Sequence, residues 1–252
     1  MTRRRYLLLA GLAVGLPLLL AVAPAMAQTF SLDLGDGPNG GTTGRIIQLV
    51  ALMTVLSLAP GILMTVTSFT RIVVVLSLLR AALGAQQTPP NMVLVSLALF
   101  MSAFVMAPTF EQAYNDGVAP LIAEEIDEEQ AFAAATAPFH TFMMSQVREK
   151  DLVLFMDMAQ IDEVATPAET PFQVLIPAFM ISELRRAFEI GFLVFLPFLI
   201  IDMVVASVLM SMGMMMLPPV MIALPFKLIF FVMVDGWYLV AGSLIRSFNV
   251  AG

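Results

Sequence analysis

At 252 residues, 60% of them hydrophobic and 12% charged, the chain has a mean hydropathy of +0.92. Soluble domains carry about 25% charged residues, so a water-soluble globular enzyme is the class the composition argues against first. The net charge of −7, with Lys and Arg scattered rather than clustered, argues against nucleic acid, and the absence of cysteine removes disulfides and thiolate metal sites.

Residues 1–27 read as a cleavable signal peptide. Arg3, Arg4 and Arg5 form the positive start, Leu7 to Leu20 the apolar stretch, and Ala25-Met26-Ala27 the cleavage site. An uncleaved anchor is the alternative, and either reading puts the following segment outside the cytoplasm. Cleavage takes the net charge from −7 to −10. Residues 28–44 then read as a flexible linker. The sequence Gly35-Asp36-Gly37-Pro38-Asn39-Gly40 matches G-x-G-x-x-G formally but lacks the preceding strand and following helix that a dinucleotide loop requires.

The first hydrophobic helical hairpin is expected over 45–110. Twenty-five uncharged residues separate Arg45 from Arg71, and thirty separate Arg80 from Glu111; each run can cross about 30 Å of hydrocarbon as a helix. The stretch with Arg71, Arg80, Gly84 and Pro89-Pro90-Asn91 is expected to be the turn on the cytoplasmic side. Residues 111–169 hold 13 acidic residues against only Arg148 and Lys150, so they form an acidic, partly helical extracytoplasmic segment. Its run Glu124-Glu125-Ile126-Asp127-Glu128-Glu129 suits a cation or a basic partner, but a solvated face explains it more simply.

The second hydrophobic hairpin, 170–252, has one helical run from about Ala178 to Met212 and another from about Met221 to Ser247, joined by a methionine-rich turn at 210–221. Ionisable groups interrupt both runs. Asp202, Lys227 and Asp235 would together cost about 8 to 10 kcal/mol facing lipid, so they must face protein or water. Pairing across subunit boundaries is the economical solution, with pairing inside the chain the alternative. Glu183, Arg185, Arg186 and Glu189 divide between a self-paired helix surface and an intersubunit salt-bridge belt. Lys227 and Asp235 project within about 80° of each other on an unbroken helix.

Methionine occurs 20 times, and Met210, Met212, Met214, Met215, Met216 and Met221 fall within twelve positions. Met214 to Met216 cannot form one helical stripe, because consecutive residues point in different directions between Gly213 and Pro218-Pro219. Flexible, polarizable thioethers suit a deformable gate in a pore; a packing or lipid-facing turn and a copper(I) site are the rivals. His140 is the only histidine, which excludes a multi-histidine metal site, and no G-x-S-x-G, P-loop or H-E-x-x-H sequence occurs. No enzyme, metal or cofactor is expected.

Several blocks resemble one family. They are Thr67-Ser68-Phe69-Thr70-Arg71-Ile72, Leu79-Arg80-Ala81-Ala82-Leu83-Gly84, the Pro89-Pro90-Asn91 turn, Ser182-Glu183-Leu184, Phe195-Leu196-Pro197-Phe198-Leu199-Ile200-Ile201-Asp202, the methionine turn, Leu224-Pro225-Phe226-Lys227 and Asp235-Gly236-Trp237. The chain is similar over nearly its whole mature length to the FliP family of the type III secretion export gate, flagellar and injectisome branches alike. That resemblance implies an all-α protein of long kinked helical hairpins, assembled as a homo-oligomeric ring of about five copies with FliQ and FliR. It implies a bacterial inner-membrane setting at the flagellar basal body, and unfolded export substrates passing through the centre. Met214, Met215 and Met216 match the family's methionine gasket, flanked by Met210 and Met212, and Glu183 matches an acidic residue at a subunit contact. The alternative function is a small proton-coupled transporter using Asp202, Lys227 and Asp235 as a relay, which the absence of a matching broken helix in the first half argues against.

Overall fold

The computed structural model describes residues 64–85, 87–161, 166–214 and 218–248, together with the short pieces 49–50, 53–54, 57–58 and 61–62. The expected signal peptide, the linker, the start of the first hairpin, and Met215 and Met216 lie outside the described residues. Everything below concerns the unit from Val55 onward.

Eight α-helices and no strand occur among the described residues, so the all-α expectation holds. Helix α1 spans Phe69–Leu83. Its buried residues Arg71, Ile72, Val75, Leu76, Leu79, Ala82 and Leu83 recur at three- and four-residue intervals, which lays them on one face. Gly84 ends the helix in the left-handed conformation, φ 74°, where a side chain would be strained. Arg71 and Arg80 therefore sit within a helix instead of a turn. The connection shrinks to the residues around Pro89-Pro90, where the Arg80 guanidinium donates to the Pro89 carbonyl and to Asn91 Oδ1.

Helix α2, Asn91–Ala113, begins directly after Pro90, whose carbonyl accepts from Val93 and Leu94. It runs through a π-turn at Tyr114–Val118 into the short helix α3, Ala119–Ile122. Next come α4, Glu128–Gln146, and α5, Glu149–Ala159. The acidic run has a local structural use: Asp127 Oδ1 accepts from the Gln130 N–H at 2.8 Å, and Glu128 and Glu129 occupy the first turn, where carboxylates complement the helix dipole.

Helix α6, Phe172–Ser211, is 40 residues long and carries Pro177 and Pro197 in its interior. At 1.5 Å per residue it is about 60 Å long. Helix α7, Pro219–Met233, returns from it and is followed across a 64° bend by α8, Gly236–Arg246. The single run expected from Met221 to Ser247 is thus broken. Asp235 adopts φ 51°, and Gly236 approaches so closely that an added Cβ would lie 2.1 Å from the Phe231 ring.

The main core forms where α1 lies against both α2 and α6. Ile72, Leu76 and Leu79 pack there with Leu94, Ala98 and Met101 and with Ala187 and Phe198, closed by Phe231, Val240 and Leu244. A smaller cluster of Val66, Met143, Leu175 and Phe179 joins α4 to the start of α6. The far part of α6 is different: beyond Phe198 only Leu209 is buried. Two helical stretches, Asn91–Ile122 and Phe172–Ser211, are long and apolar enough to cross a membrane, and the bent α7–α8 pair makes up to three. In the most apolar window of α6 only 11% of the residues are buried, so this surface has been left for lipid or for other protein.

Candidate functional site

Three buried ionic sites tie the helices together, and the methionine turn lies beyond the last of them. The first centres on Arg71, whose exposure is 0%. Its Nε donates to Glu183 Oε2 at 2.8 Å and Nη2 donates to Glu183 Oε1, a two-pronged pair between α1 and α6. Nη2 also donates to Gln146 Oε1 at 3.0 Å, and Nη1 to the Ser247 carbonyl and hydroxyl at 3.2 and 3.0 Å. The Phe248 ring covers the guanidinium, 3.7 Å from Cζ to the ring centre. One side chain thus joins α1, α4, α6 and the end of the chain after α8, with every nitrogen used. Such completeness is what makes a buried pair tolerable, since taking the ions out of water otherwise costs several kcal/mol each.

The second site docks α5. Arg148 Nε donates to Asp151 Oδ2 at 2.9 Å, and the Ser182 hydroxyl donates to the same oxygen at 2.6 Å. Ser182 Oγ in turn accepts from the Arg148 backbone N–H at 3.1 Å. Burial alone would raise the Asp151 carboxyl, but the Ser182 hydroxyl and the Arg148 guanidinium outweigh it and hold the group below the ordinary carboxylate range. A carboxyl more acidic in the folded chain than in the unfolded one adds stability above its unfolded value, about pH 3.9, and loses it as pH falls through the lower folded value. Asp151→Asn is therefore expected to loosen α5 throughout pH 5–8, with the difference from the parent shrinking as pH falls through the lowered folded-state value of the Asp151 carboxyl. Amide exchange in α5 as a function of pH measures this.

The third site lies at the foot of the methionine hairpin. Lys227 on α7 is 3% exposed; its Nζ donates to Asp202 Oδ2 on α6 at 2.6 Å and to the Ala82 carbonyl at 3.0 Å. That carbonyl belongs to the last turn of α1, where the helix dipole favours a cation. Asp202 Oδ1 is buried without a partner among the described residues.

The charges singled out from sequence thus divide. Glu183 is paired with Arg71, and Asp202 with Lys227, within one chain; any contact they make across a subunit boundary is additional to these pairs. Arg186 donates to Gln146 Oε1 at 2.9 Å and so belongs to the Arg71 site. Arg185 pairs with Glu189 on the exposed face, 2.8 Å apart, and Asp235 is exposed at the bend. The common face for Lys227 and Asp235 presumed a continuous helix, which that bend interrupts. Sequence reasoning missed Arg71, Gln146, Asp151, Ser182 and Ser247. The available signal was Arg71 itself, an isolated ion in a long apolar run, which by default asks for a named partner.

At the turn, Met210, Met212 and Met214 are all exposed, and Gly213 turns the chain with φ 73°. An apolar groove of about 540 Å³ runs between α6 and α7 toward it, lined by Val204, Val208, Leu209, Ile222, Phe226 and Phe230. Among the described residues no three metal-ligating side chains gather.

Long apolar helices pinned by buried ion pairs, two or up to three of them long enough to cross a membrane, define an all-α membrane protein. Comparison with known sequences gives the particular family. Residues 52–244 match the FliP family. Flagellar biosynthetic protein FliP of Caulobacter vibrioides is 62% identical over 227 residues, covering 90% of this chain and 85% of that protein. The Agrobacterium fabrum protein of the same name is 53% identical over 228 residues, 89% of this chain and 93% of its own. The Bacillus subtilis one is 54% identical over 202 residues, 80% and 91% respectively. The chain belongs to the FliP family, and so is a flagellar biosynthetic protein, a component of the flagellar export apparatus and not an enzyme.

Proposed function

We propose that the chain is a core pore subunit of the flagellar export gate, conducting unfolded flagellar proteins across the bacterial inner membrane. In this reading about five copies form a ring with FliQ and FliR, closed by rotation so that each copy presents the same faces. Residues 1–27 are removed as a signal peptide, 28–44 act as a linker, and 111–169 remain outside the cytoplasm. Met214, Met215 and Met216 of all copies meet at the centre as a gasket, with Met210 and Met212 beside them. Flexible thioether side chains close against one another at rest and yield to a passing chain of varied shape. Glu183, Arg185, Arg186, Asp202, Lys227 and Asp235 provide polar contacts between neighbouring subunits, those of Glu183, Asp202 and Lys227 in addition to their pairs within the chain.

The observation that carries this reading is the bareness of the methionine hairpin. Beyond Phe198 the α6 arm buries only Leu209, and the three described methionines at its end are exposed, so the arms have surface for neighbours and the tip has room to meet its copies. The transporter reading is weaker. Lys227 and Asp202 are already paired with each other, and Asp235 is exposed at a bend and outside that pair.

Replacing Met214, Met215 and Met216 together with alanine, in complexes coexpressed with FliQ and FliR, is expected to raise resting ion conductance while leaving the native mass of the complex unchanged. Conductance equal to that of the parent in a complex of unchanged mass would remove the gasket role.

A further inference from the structure

We propose that Lys227 is a latch that fixes the separation of the two arms of the methionine hairpin and couples it to α1. This deepens the gate reading above and rests on it.

The placement of the latch carries the argument. Asp202 lies nine residues before the end of α6, and Lys227 eight after the start of α7. Their ion pair is the last polar tie between the arms among the described residues. Phe198 contacts Phe230 and Phe231 on the core side of it. On the tip side the arms keep only Leu209 and Ala223 buried, while Met203, Val204, Val208, Met210, Val220 and Met221 are exposed. An arm held by a few nondirectional apolar contacts can splay about its last directional one. A single ammonium also holds a third element, because Lys227 Nζ donates to the Ala82 carbonyl. Leu224, one turn earlier on α7, packs 3.9 Å from where a Cβ on Gly84 would sit, so α7 rests on the capped end of α1.

Helix α1 is 15 residues long, and its other end carries Arg71. From Arg71 to Ala82, at 1.5 Å per residue, it is a strut of about 16 Å between the Arg71 site and the hairpin foot. A movement of α4 or of the chain end at Arg71 is thereby passed to the arms through one rigid helix and one buried amine. A buried ion is costly to keep unless its partners are fixed, so Lys227 holds Asp202 and Ala82 in one geometry or not at all.

Lys227→Met removes the ammonium and keeps an unbranched apolar chain. In the assembled complex it is expected to raise the open fraction, and with it resting conductance, by about tenfold, equivalent to about 1.4 kcal/mol lost from the closed form. The chain has no cysteine, so spin labels on Ser211→Cys and Val220→Cys report the arm separation directly when labelled subunits are diluted with unlabelled ones. That distance distribution is expected to broaden. Exchanging the pair, Asp202→Lys with Lys227→Asp, restores the tie between arms but not the bond to Ala82; the distribution is expected to narrow again.

Parent-like conductance and distances in Lys227→Met, in a preparation where the triple methionine variant leaks, overturn the latch and leave the gasket standing. If the triple variant does not leak, the gasket falls, and the distances alone decide the latch. Should Lys227→Met not assemble, Asp202→Asn and the exchanged pair decide: distances broadened in Asp202→Asn and narrowed again in the exchanged pair support the latch, and parent-like distances in Asp202→Asn overturn it.

Discussion

Replacing Arg71 with methionine is expected to leave little folded protein, with a loss of about 3–5 kcal/mol. The substitution removes the guanidinium but leaves behind the Glu183 carboxylate, fully buried, together with a Ser247 carbonyl and hydroxyl that had met there. An uncompensated buried charge is far more costly than a missing pair, and domain stability totals only about 5–15 kcal/mol. Four elements lose their common anchor at once, so the effect should reach α4 and the chain end as well as α1 and α6. Arg71→Met with Glu183→Met is expected to recover most of the loss, because two apolar side chains of similar length fill the same space without stranding an ion. Gln146 keeps its bond from Arg186 in that double variant. Thermal unfolding and the yield of monodisperse protein in detergent measure both. A single variant as stable as the parent, or a double variant no better than the single, would show that the site is not the anchor described.

Much of the architecture was legible because hydrophobic length is a direct signal. The uncharged runs of the first half and the apolar runs on either side of the methionine turn located helices α2, α6 and α7, and the acidic stretch located the helices between them. Polar pairing was half legible. A lysine and two aspartates in apolar runs announce that they need partners, but residue type does not say which. Asp202 and Lys227 found each other 25 residues apart across the hairpin, whereas Glu183 found an arginine 112 positions earlier that hydropathy alone assigns to a cytoplasmic turn. Arg71 could be misread because the same residue serves both purposes, and only a three-dimensional neighbour distinguishes them. The bend between α7 and α8 was hidden for another reason. Asp235-Gly236 lies in a sequence otherwise apolar and periodic, and the left-handed backbone at Asp235 leaves no trace in hydropathy. Likewise Pro177 and Pro197 signal helix ends in isolation, yet α6 continues through both because neighbouring helices hold its buried face.

The π-turn between α2 and α3 gives the second large expected effect. Gly117 is buried there, and a Cβ on it would stand 2.7 Å from both the Cβ and the backbone nitrogen of Ala135 and 2.8 Å from the Ala131 carbonyl oxygen. Two of those three atoms are backbone of α4, which cannot rotate away, so Gly117→Ala must displace the whole helix. Overpacking of this kind costs about 1–3 kcal/mol and more when backbone must move, so a loss of about 3 kcal/mol is expected. Because α4 ends at Gln146, the displacement should propagate to the Arg71 site and expose its amides to exchange. Gly242→Ala is the matched control. Its Cβ would meet only Arg246 Nη2, at 3.3 Å, the far end of a flexible side chain in helix α8. There the better helix propensity of alanine is expected to add about 0.5–1 kcal/mol. The same chemical change thus has opposite signs at two glycines, separated by about 4 kcal/mol, because one faces backbone and the other a mobile tip. Equal unfolding temperatures for the two variants would refute the close approach of the π-turn to α4, and protected α4 amides in Gly117→Ala would break the mechanical link from that turn to Arg71.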